Sequence, residues 1–552
     1  MSLQVKKRIS LLCKIFLIGL LFQFFVQTFV TFQLGWDGKI WSAIWMWKEV
    51  ILLLFVVAIL YALISNAKTF LTALKKLEGA TLWQKVTLLF GKQVVLQFIA
   101  LFVATFLVFG VFALLIQKSG LSTFVLSIKY DLLPFFIFGL GICVALLFFE
   151  EKDKDLLALY QKIILYTLGF GLLRWLMLYF MPNLLKFFGY DWLIYEGTIG
   201  SRPPAAYYTQ INKGFVRNQF LFERPISFGF WLIGFFPVFA LGFLKNLSLK
   251  KKILWTIPFG LLVLSTWSRA AIGVFGLELI VIALILYWKR IRNYLWLIIT
   301  VCLVGGVGVL YFGNRYFARE HSNTGHLVLV QEGRKMAKHN LITGRGVGYS
   351  GPASHQICYT EQELGAYTDE TISEDSRCQE IRAVNRKHMI STYGYNPENQ
   401  YLQIIMEYGL VGFFFWGVLL VRILYTTLRT IWKYRKTKKS TYQSLLYYTL
   451  LGFGIGLTGL CIEGVVLHSL VDRMVVYPFF LLYGITLGLR QKEKDVPHIE
   501  VKTERKKKKH KLKTEKRKTK EPPASSKSTR GGKKGKKKHS KAGKKKGKKS
   551  AR

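Results

Sequence analysis

The sequence predicts an all-α polytopic membrane protein with about 12 transmembrane helices, a large extracytoplasmic loop and a disordered C-terminal tail. Three observations support this fold class. The 552 residues are 52% hydrophobic and 15% aromatic, and their mean hydropathy is positive. The chain holds many separate apolar runs of about 17 residues or more, the length that spans the hydrocarbon core of a bilayer. Its last stretch is strongly basic and has almost no apolar residue to bury.

The predicted spans follow one another along the chain, mostly with short polar connections. Basic residues precede the first span, as in a signal peptide. Its apolar run is too long and lacks a small-residue cleavage site, so we interpret it as a retained span. In chain order the apolar windows are 10–32, 42–65, 93–117, 124–149, 157–181, 226–244, 253–268, 270–288, 294–312, 401–427, 444–466 and 474–490.

The placement of Lys and Arg predicts the orientation. Three short connections, 245–252, 289–293 and 433–440, are basic and fall on one side of a twelve-span arrangement. Because short cytoplasmic loops carry an excess of Lys and Arg, that side is predicted to be cytoplasmic, together with both chain termini. We therefore expect a multi-pass protein of the cell's inner (plasma) membrane.

The same alternation places two longer polar segments outside, 182–225 and 313–400. The second contains an amphipathic stretch at 324–340 and a Gly-rich turn at 343–351. A loop of this length is more often functional than a mere connector. We expect the chemistry of the protein to lie there.

The six cysteines fall into two groups. Cys358 and Cys378 lie in the large polar loop, where they form a disulfide if the loop faces an oxidising compartment and otherwise remain as two thiols. The others lie in apolar segments and are interpreted as small buried residues: Cys13, Cys143, Cys302 and Cys461.

The formal net charge of +46 would suggest nucleic-acid binding in a soluble protein. From Gln491 onward, however, the chain holds 28 Lys/Arg against 6 Asp/Glu, and much of the remaining excess lies in short loops. The positive charge of the tail 491–552 is predicted to bind anionic lipids of the cytoplasmic leaflet, or alternatively RNA. A tail that only fixes topology or solubility is the alternative.

Arg269 stands near the start of an apolar run, where a charged side chain is costly unless it has a partner or lies at an interface. In the predicted topology it lies at the outer end of a tight helical hairpin. Arg217 and Arg224 precede the span that Pro225 begins, and guanidinium groups bind phosphate oxygens in pairs. The alternatives are an interfacial arginine at 269 and surface ion pairs with Glu223.

Glu398 and Asn399 follow Pro397 where the chain re-enters the membrane, and we expect them on the first turn of that helix. A carboxylate there can accept a proton from a hydroxyl or cap the helix. Glu278 is half a turn out of phase with Arg269, so we expect it to contact another span or to be a neutral, protonated carboxyl. A second outer cluster could contribute to an acceptor site: Glu463, His468, Asp472 and Arg473. The loop histidines are interpreted as scattered surface residues: His339, His355 and His388. Glu407 and Gly409 are interpreted as helix-packing positions.

Four short motifs occur in one order: "RNQFLFERP", "TWSRAA", "GRKMAKHNLITGRGVG" and "PENQYLQIIMEYGLVG". Their order and spacing resemble the O-antigen ligase and polymerase superfamily, membrane glycosyltransferases of the GT-C type. The resemblance covers roughly 200–425. It divides the chain into an N-terminal bundle 1–199, a catalytic region 200–425 with its outer loop 313–400, C-terminal helices 426–490 and the tail 491–552.

The resemblance implies transfer of a glycan from an undecaprenyl-diphosphate carrier to an acceptor hydroxyl on the outer face, by inversion and without a metal or cofactor. Arg217, Arg269 and Glu398 would be the catalytic residues, and Arg224, Arg345, Asn399 and Arg473 would bind substrate. Many ligases have a His-Asn pair where this chain has Glu398-Asn399. Ligase, polymerase and protein O-oligosaccharyltransferase therefore all stay open, with a glycan, lipid or protein acceptor.

Two functions of other classes are weighed against this one. A flippase for polyprenyl-linked sugars would place charges along a path at midplane depth and relate two halves by an internal repeat. We find no such repeat in the sequence, and the arginines cluster toward one face. A membrane scaffold that only anchors the basic tail would leave the outer loop without a role.

Overall fold

The fold is that of an all-α polytopic membrane protein. A computed structural model describes residues 3–34, 46–65, 93–150, 155–190, 216–291, 320–364, 376–387, 394–434 and 441–492. No β-strand is present in these ranges. Four predicted features lie outside the described residues: the span 294–312, Cys302, His388 and the basic tail beyond Lys492.

The helices that cross or approach the membrane make up most of the described chain. They are α1 Leu3–Leu34, α2 Trp47–Ser65, α3 Gln93–Gly110, α4 Leu121–Asp131, α5 Leu133–Phe148, α6 Asp155–Phe180, the short α7 Pro182–Phe187, α8 Pro225–Val238, α9 Leu249–Ser265, α10 Arg269–Ile291, α14 Gln400–Tyr434, α15 Thr441–Glu463 and α16 Arg473–Lys492. The outer loop contributes α11 Glu320–His339, α12 Gly351–Leu364 and α13 Ser376–Lys387. Single π-helical turns extend α3 to Ile116 and α8 to Phe243.

Within the described residues, nine helices are long and apolar enough to span a membrane, or ten if the bent pair α4 and α5 is one span. Each predicted apolar window other than 294–312 coincides with a described helix. The helix α9, with 17 residues, is shorter than the nine. The multi-pass architecture is thus confirmed, and the total of about 12 spans stays a prediction.

The span predicted at 124–149 is broken. Helices α4 and α5 meet at an angle of 60° around Leu132. Pro134 lies in the first turn of α5 and has no N–H to continue the helix from α4. Helix α14 supplies donors at the break: Gln403 Nε2 and Tyr408 Oη donate to the Asp131 carboxylate at 3.2 and 3.1 Å.

Helix α14 is itself interrupted at Gly409, whose φ is +66°. The Gly-rich turn of the outer loop and the residues just before it lie against this interruption. The Leu410 N–H donates to the Leu341 carbonyl at 2.8 Å, and the Arg345 N–H donates to the Met406 carbonyl at 2.7 Å. Glu407 accepts from the Gly348 N–H at 2.9 Å. The sequence interpretation of these positions as simple helix packing was incomplete, because they join the loop to the membrane helix.

Gly409→Ala is expected to loosen the outer loop. With φ +66° and ψ −171°, Gly409 adopts a backbone conformation that is essentially restricted to glycine and costs other residues about 1–3 kcal/mol, and a methyl group would overlap the Ile342 carbonyl. Gly417→Ala is the matched control on the same helix, because a methyl group there meets nothing within 4 Å. Limited proteolysis of the loop and thermal unfolding in detergent measure both. Equal stability of the two variants would contradict a role for Gly409 in joining the outer loop to α14.

Contacts between helix ends separate into two sets, as the predicted topology requires. At one end Lys6 pairs with Glu150 at 2.7 Å, and Lys245 Nζ donates to Ser444 at 2.6 Å. At the other end Gln117 Nε2 donates to the Thr343 carbonyl of the outer loop at 2.6 Å. These contacts are therefore consistent with the predicted topology, in which successive connections lie on alternate sides of the membrane. The assignment of one side to the cytoplasm stays a prediction.

The outer loop has a small core of its own. Helices α11, α12 and α13 contribute to it, and the buried residues are Met336, Ala337, Cys358, Cys378, Ile381, Tyr395 and Met406. Cys358 and Cys378 form a disulfide with a Cα–Cα distance of 5.5 Å. The amphipathic helix and the Gly-rich turn predicted from the sequence are both present. The loop is therefore a folded cap.

Cys358→Ser is expected to destabilise this cap by about 3 kcal/mol, because the bridge closes a chain of 20 residues. A membrane-impermeant maleimide should label the remaining Cys378 in the variant and neither thiol in the unreduced wild type. Cys461→Ser is the control, since Cys461 is a free cysteine within α15. Labelling of both loop cysteines in untreated wild-type cells would contradict the pairing.

Candidate functional site

Arg269 begins a membrane helix at a tight hairpin, as the sequence predicted. Helix α9 ends at Ser265 and α10 begins at Arg269, so three residues make the turn. The Arg269 side chain is exposed. A cation at a helix N-terminus opposes the helix dipole, whereas an anion there is favoured. The hairpin therefore concentrates positive potential at the N-terminus of α10.

The segment that carries Arg217 lies directly on this hairpin. Arg217 Nε donates to the Thr266 carbonyl at 2.8 Å, and the Asn218 N–H donates to the Ser265 carbonyl at 2.9 Å. Asn218 Nδ2 also donates to Ser265 Oγ at 3.1 Å. The structure thus brings together the two segments on which the predicted phosphate-binding arginines stand.

A third arginine joins this cluster from within a span. Arg174 of α6 is buried, and its Nη1 lies 3.4 Å from Asn218 Oδ1. Its guanidinium also lies over the Tyr190 ring at 4.6 Å. Arg174 was not predicted from the sequence, although it has the same signal as Arg269, a charged residue inside an apolar run.

Three of the predicted arginines stand at the N-termini of helices that run in the same direction through the bundle. Arg224 precedes the first residue of α8, Arg269 begins α10 and Arg473 begins α16. Helix α8 packs against both α10 and α16. Helix N-termini present N–H donors and a positive dipole to anions. This arrangement suits a ligand that carries more than one negative charge.

Each arginine also has a local contact. Arg224 is exposed and lies 3.7 Å from Glu223, the surface pair weighed as the alternative. Arg473 is half-buried, with its guanidinium 5.1 Å from the centre of the Tyr130 ring. An exposed ion pair of this kind contributes little stability, so Glu223 holds Arg224 only weakly.

His355, His468 and Asp472 form part of the same face. Burial lowers the pKa of His355 to about 4, and Arg224 acts in the same direction. Burial lowers the pKa of His468 to about 3, with a smaller contribution from His355. Burial raises the pKa of the Asp472 carboxyl, opposed by a hydrogen bond from Ser227. Both histidines are neutral at physiological pH, so the arginines supply the positive charge.

The junction where the chain re-enters the membrane docks on the connection between α15 and α16. The Gln400 N–H donates to the Gly464 carbonyl at 2.9 Å, and Asn399 Nδ2 donates to the Val465 carbonyl at 2.7 Å. Asn399 Oδ1 accepts from the Leu402 N–H at 2.8 Å. The helix begins at Gln400, so the expectation that Glu398 and Asn399 lie on its first turn was wrong: Asn399 caps the helix and Glu398 precedes it.

Glu398 contacts His326 of α11 through its Oε2 and the imidazole Nδ1. Their side chains are 28% and 38% exposed, so the pair is partly accessible to solvent. His326 was not predicted as a site residue from the sequence. The two positions are 72 apart in the sequence and give no local pattern, and only the packing of α11 on α14 brings them together.

Three of the four non-glycine residues with positive φ in the described ranges fall in the motifs. They are Phe220 (+50°), Trp267 (+52°) and Glu398 (+49°). Such conformations cost about 1–3 kcal/mol each and concentrate at functional sites. The strain coincides with the segments that carry Arg217, Arg269 and the Glu398–His326 pair.

Arg345 has a different environment. Its two terminal nitrogens donate to both carboxylate oxygens of Glu380, at 2.6 and 2.8 Å. The pair joins the Gly-rich turn to α13. Glu278 is buried beside Gly459 of α15, which agrees with the expected contact to another span. Within the described ranges, no cluster of His, Cys, Asp and Glu is suited to a metal ion.

The described chain is a multi-pass α-helical membrane protein with a folded cap and a cationic cluster at one end of its bundle. Residues 254–417 match the family model described as O-antigen ligase, so the chain carries a domain of the O-antigen ligase and polymerase type. The match runs from α9 into α14 and includes the hairpin, the cap and the re-entry junction. Among curated proteins, none matches the chain.

This family assignment indicates a ligase- or polymerase-like function in surface polysaccharide synthesis. It also indicates a lipid-linked glycan substrate and a membrane setting for the reaction. Arg217 and Arg224 lie outside the matched residues, and Arg269, Glu398 and Asn399 lie within them.

Proposed function

We propose that the protein transfers a glycan from an undecaprenyl-diphosphate carrier to an acceptor hydroxyl on the extracytoplasmic face, with inversion at the anomeric carbon. The observation that carries this proposal is the contact of the Arg217 segment with the hairpin that presents Arg269. Two guanidinium groups on adjoining segments suit a diphosphate, because each can bind two phosphate oxygens.

The proposed reaction needs this charge because the leaving group is a lipid diphosphate. Arg217 and Arg269 would stabilise the negative charge that grows on the departing oxygen, with Arg224 and Arg473 at neighbouring helix N-termini binding the donor. The acceptor would approach beneath the cap near Glu398. Arg345 and Asn399 have partners in the fold, so we propose that they position the cap and the junction.

We also propose that the cap lies outside the cytoplasm of a cell with this protein in its inner membrane, and that both termini are cytoplasmic. The disulfide within the cap supports this orientation, because disulfides persist in oxidising compartments. The basic connections at the opposite end of the bundle support it as well.

Within the proposed class, a polymerase, a ligase and a protein O-oligosaccharyltransferase differ only in the acceptor, which is a glycan, a lipid or a protein. A flippase is the alternative of another class. It would need charges along a path at midplane depth. Arg224, Arg269 and Arg473 all stand at helix N-termini instead, which favours chemistry at one face.

The deciding experiment compares cells with and without the protein. A transferase predicts that carrier-linked glycan accumulates on the outer face and that the surface product is lost. Purified full-length protein in liposomes, supplied with carrier-linked glycan extracted from cells that lack the protein and with an envelope extract of those cells as the acceptor source, should release undecaprenyl diphosphate. Accumulation on the inner face, with no release by the purified protein, would overturn the proposal in favour of the flippase.

A further inference from the structure

The contact between His326 and Glu398 is built by packed elements on both sides. Helix α11, which carries His326, packs along α14 and contributes Met336 to the core of the cap. Tyr395 Oη donates to the Leu329 carbonyl, one turn after His326. These contacts fix α11 beside the re-entry junction, so the histidine is held at the carboxylate.

The carboxylate is fixed from its own side as well. The Glu398 N–H donates to Asn396 Oδ1 at 2.9 Å, and Asn399 anchors the next residue to the Val465 carbonyl. The left-handed φ of +49° at Glu398 turns the chain between these two anchors. A strained backbone conformation at a non-glycine residue is retained where its surroundings fix it.

We propose that His326 accepts the proton of the acceptor hydroxyl and that Glu398 is its positioning residue. The inference rests on the proposed glycan transfer and names the group that would activate the acceptor. An imidazole whose one nitrogen contacts a carboxylate is held in one orientation, and the carboxylate stabilises the imidazolium that forms. Both side chains are partly exposed, so a hydroxyl can reach the pair.

The proposed step is a displacement at the anomeric carbon of the donor. The acceptor oxygen forms a bond to the anomeric carbon of the donor, and the bond from that carbon to the phosphate oxygen breaks. The bonding pair leaves with the lipid diphosphate. The hydroxyl proton passes to Nε2 of neutral His326, and the resulting imidazolium pairs with the Glu398 carboxylate until it releases the proton to water.

Histidine suits this role better than the glutamate alone. An ordinary imidazole titrates at about 6.5 and an ordinary glutamate at about 4.3, and a general base works best when its pKa lies near the operating pH. Glu398 then acts through His326, whereas the sequence left open whether Glu398 accepts the proton itself or caps the helix.

The test uses full-length protein in liposomes with carrier-linked glycan extracted from cells that lack the protein, and an envelope extract of those cells as the acceptor source. Released undecaprenyl diphosphate is measured from pH 5 to 9, roughly the range over which histidine titrates. His326→Ala should lower the rate by about 10²–10⁴-fold, and added imidazole should restore part of it. His339→Ala, an exposed histidine at the end of the same helix, should match the wild type.

Glu398→Gln provides a readout that a merely structural role would not move. Loss of the ion-pair partner should shift the acidic limb of the pH–rate profile to lower pH. A His326→Ala variant at the wild-type rate, while Arg269→Ala is inactive, would overturn this inference and leave the proposed function standing. The inference would also be overturned if added imidazole did not restore the rate of His326→Ala and the acidic limb of the pH–rate profile did not move in Glu398→Gln. No release by the wild type would overturn the proposed function itself.

Discussion

Arg269→Ala is expected to slow glycan transfer by about 10²–10³-fold, the usual effect of removing one preorganised electrostatic contact to a transition state. The fold should be unaffected, because the side chain is exposed at the first residue of α10. Removing a cation from a helix N-terminus also relieves its repulsion with the helix dipole. Thermal unfolding should therefore match the wild type or rise slightly, while carrier-linked glycan accumulates outside.

Two further variants sharpen this prediction. Arg269→Lys keeps the charge and loses the planar fork, so its rate should lie between those of the wild type and the alanine variant. Arg429→Ala removes an exposed arginine from α14, far along the chain from the hairpin, and should leave transfer unchanged. Wild-type product levels in Arg269→Ala, at equal expression, would remove the arginine from the proposed mechanism.

Asn218→Ala is expected to destabilise the packing that holds Arg174, Arg217 and the hairpin of Arg269 together. The side chain donates to the Gly171 carbonyl and to Ser265 Oγ, both at 3.1 Å, and accepts from the Phe220 N–H at 3.0 Å. Each buried group left without its partner costs about 1–3 kcal/mol, so a loss of roughly 3 kcal/mol or more is expected. Arg217 would lose its position on the hairpin, and transfer should fall with stability.

The matched control is Asn218→Asp. It keeps an acceptor for the Phe220 N–H and faces the buried guanidinium of Arg174 with a negative charge, but it loses both donated bonds. Its melting temperature should therefore lie between those of the alanine variant and the wild type. An alanine variant that melts and transfers glycan like the wild type would show that this contact does not hold the site together.

The sequence predicted the helices well because each span is a local property. A run of apolar residues between polar connections requires no knowledge of its neighbours, and Pro225 marked the start of α8 correctly. The breaks were not predicted. The bend at Leu132 and the interruption at Gly409 persist because α14 and the Gly-rich turn satisfy the freed polar groups, and that contact joins residues distant in sequence.

Only those residues of the candidate site that have a local signal in the sequence were predicted. Arg217 and Arg269 were found because a charge beside an apolar run is conspicuous in any sequence. Arg174 carries the same signal. His326 carries none, because a histidine on an amphipathic surface helix is common and its partner Glu398 belongs to another element. Only the tertiary packing of the cap reveals that contact.

The arginines at the helix N-termini have a consequence for the end of the proposed reaction. The spent carrier keeps its diphosphate after the sugar has left, so the groups that ease its departure also retain it. Undecaprenyl diphosphate should accordingly compete with fresh donor for the protein, and the pace of turnover would be governed by how quickly the used lipid diffuses back into the bilayer.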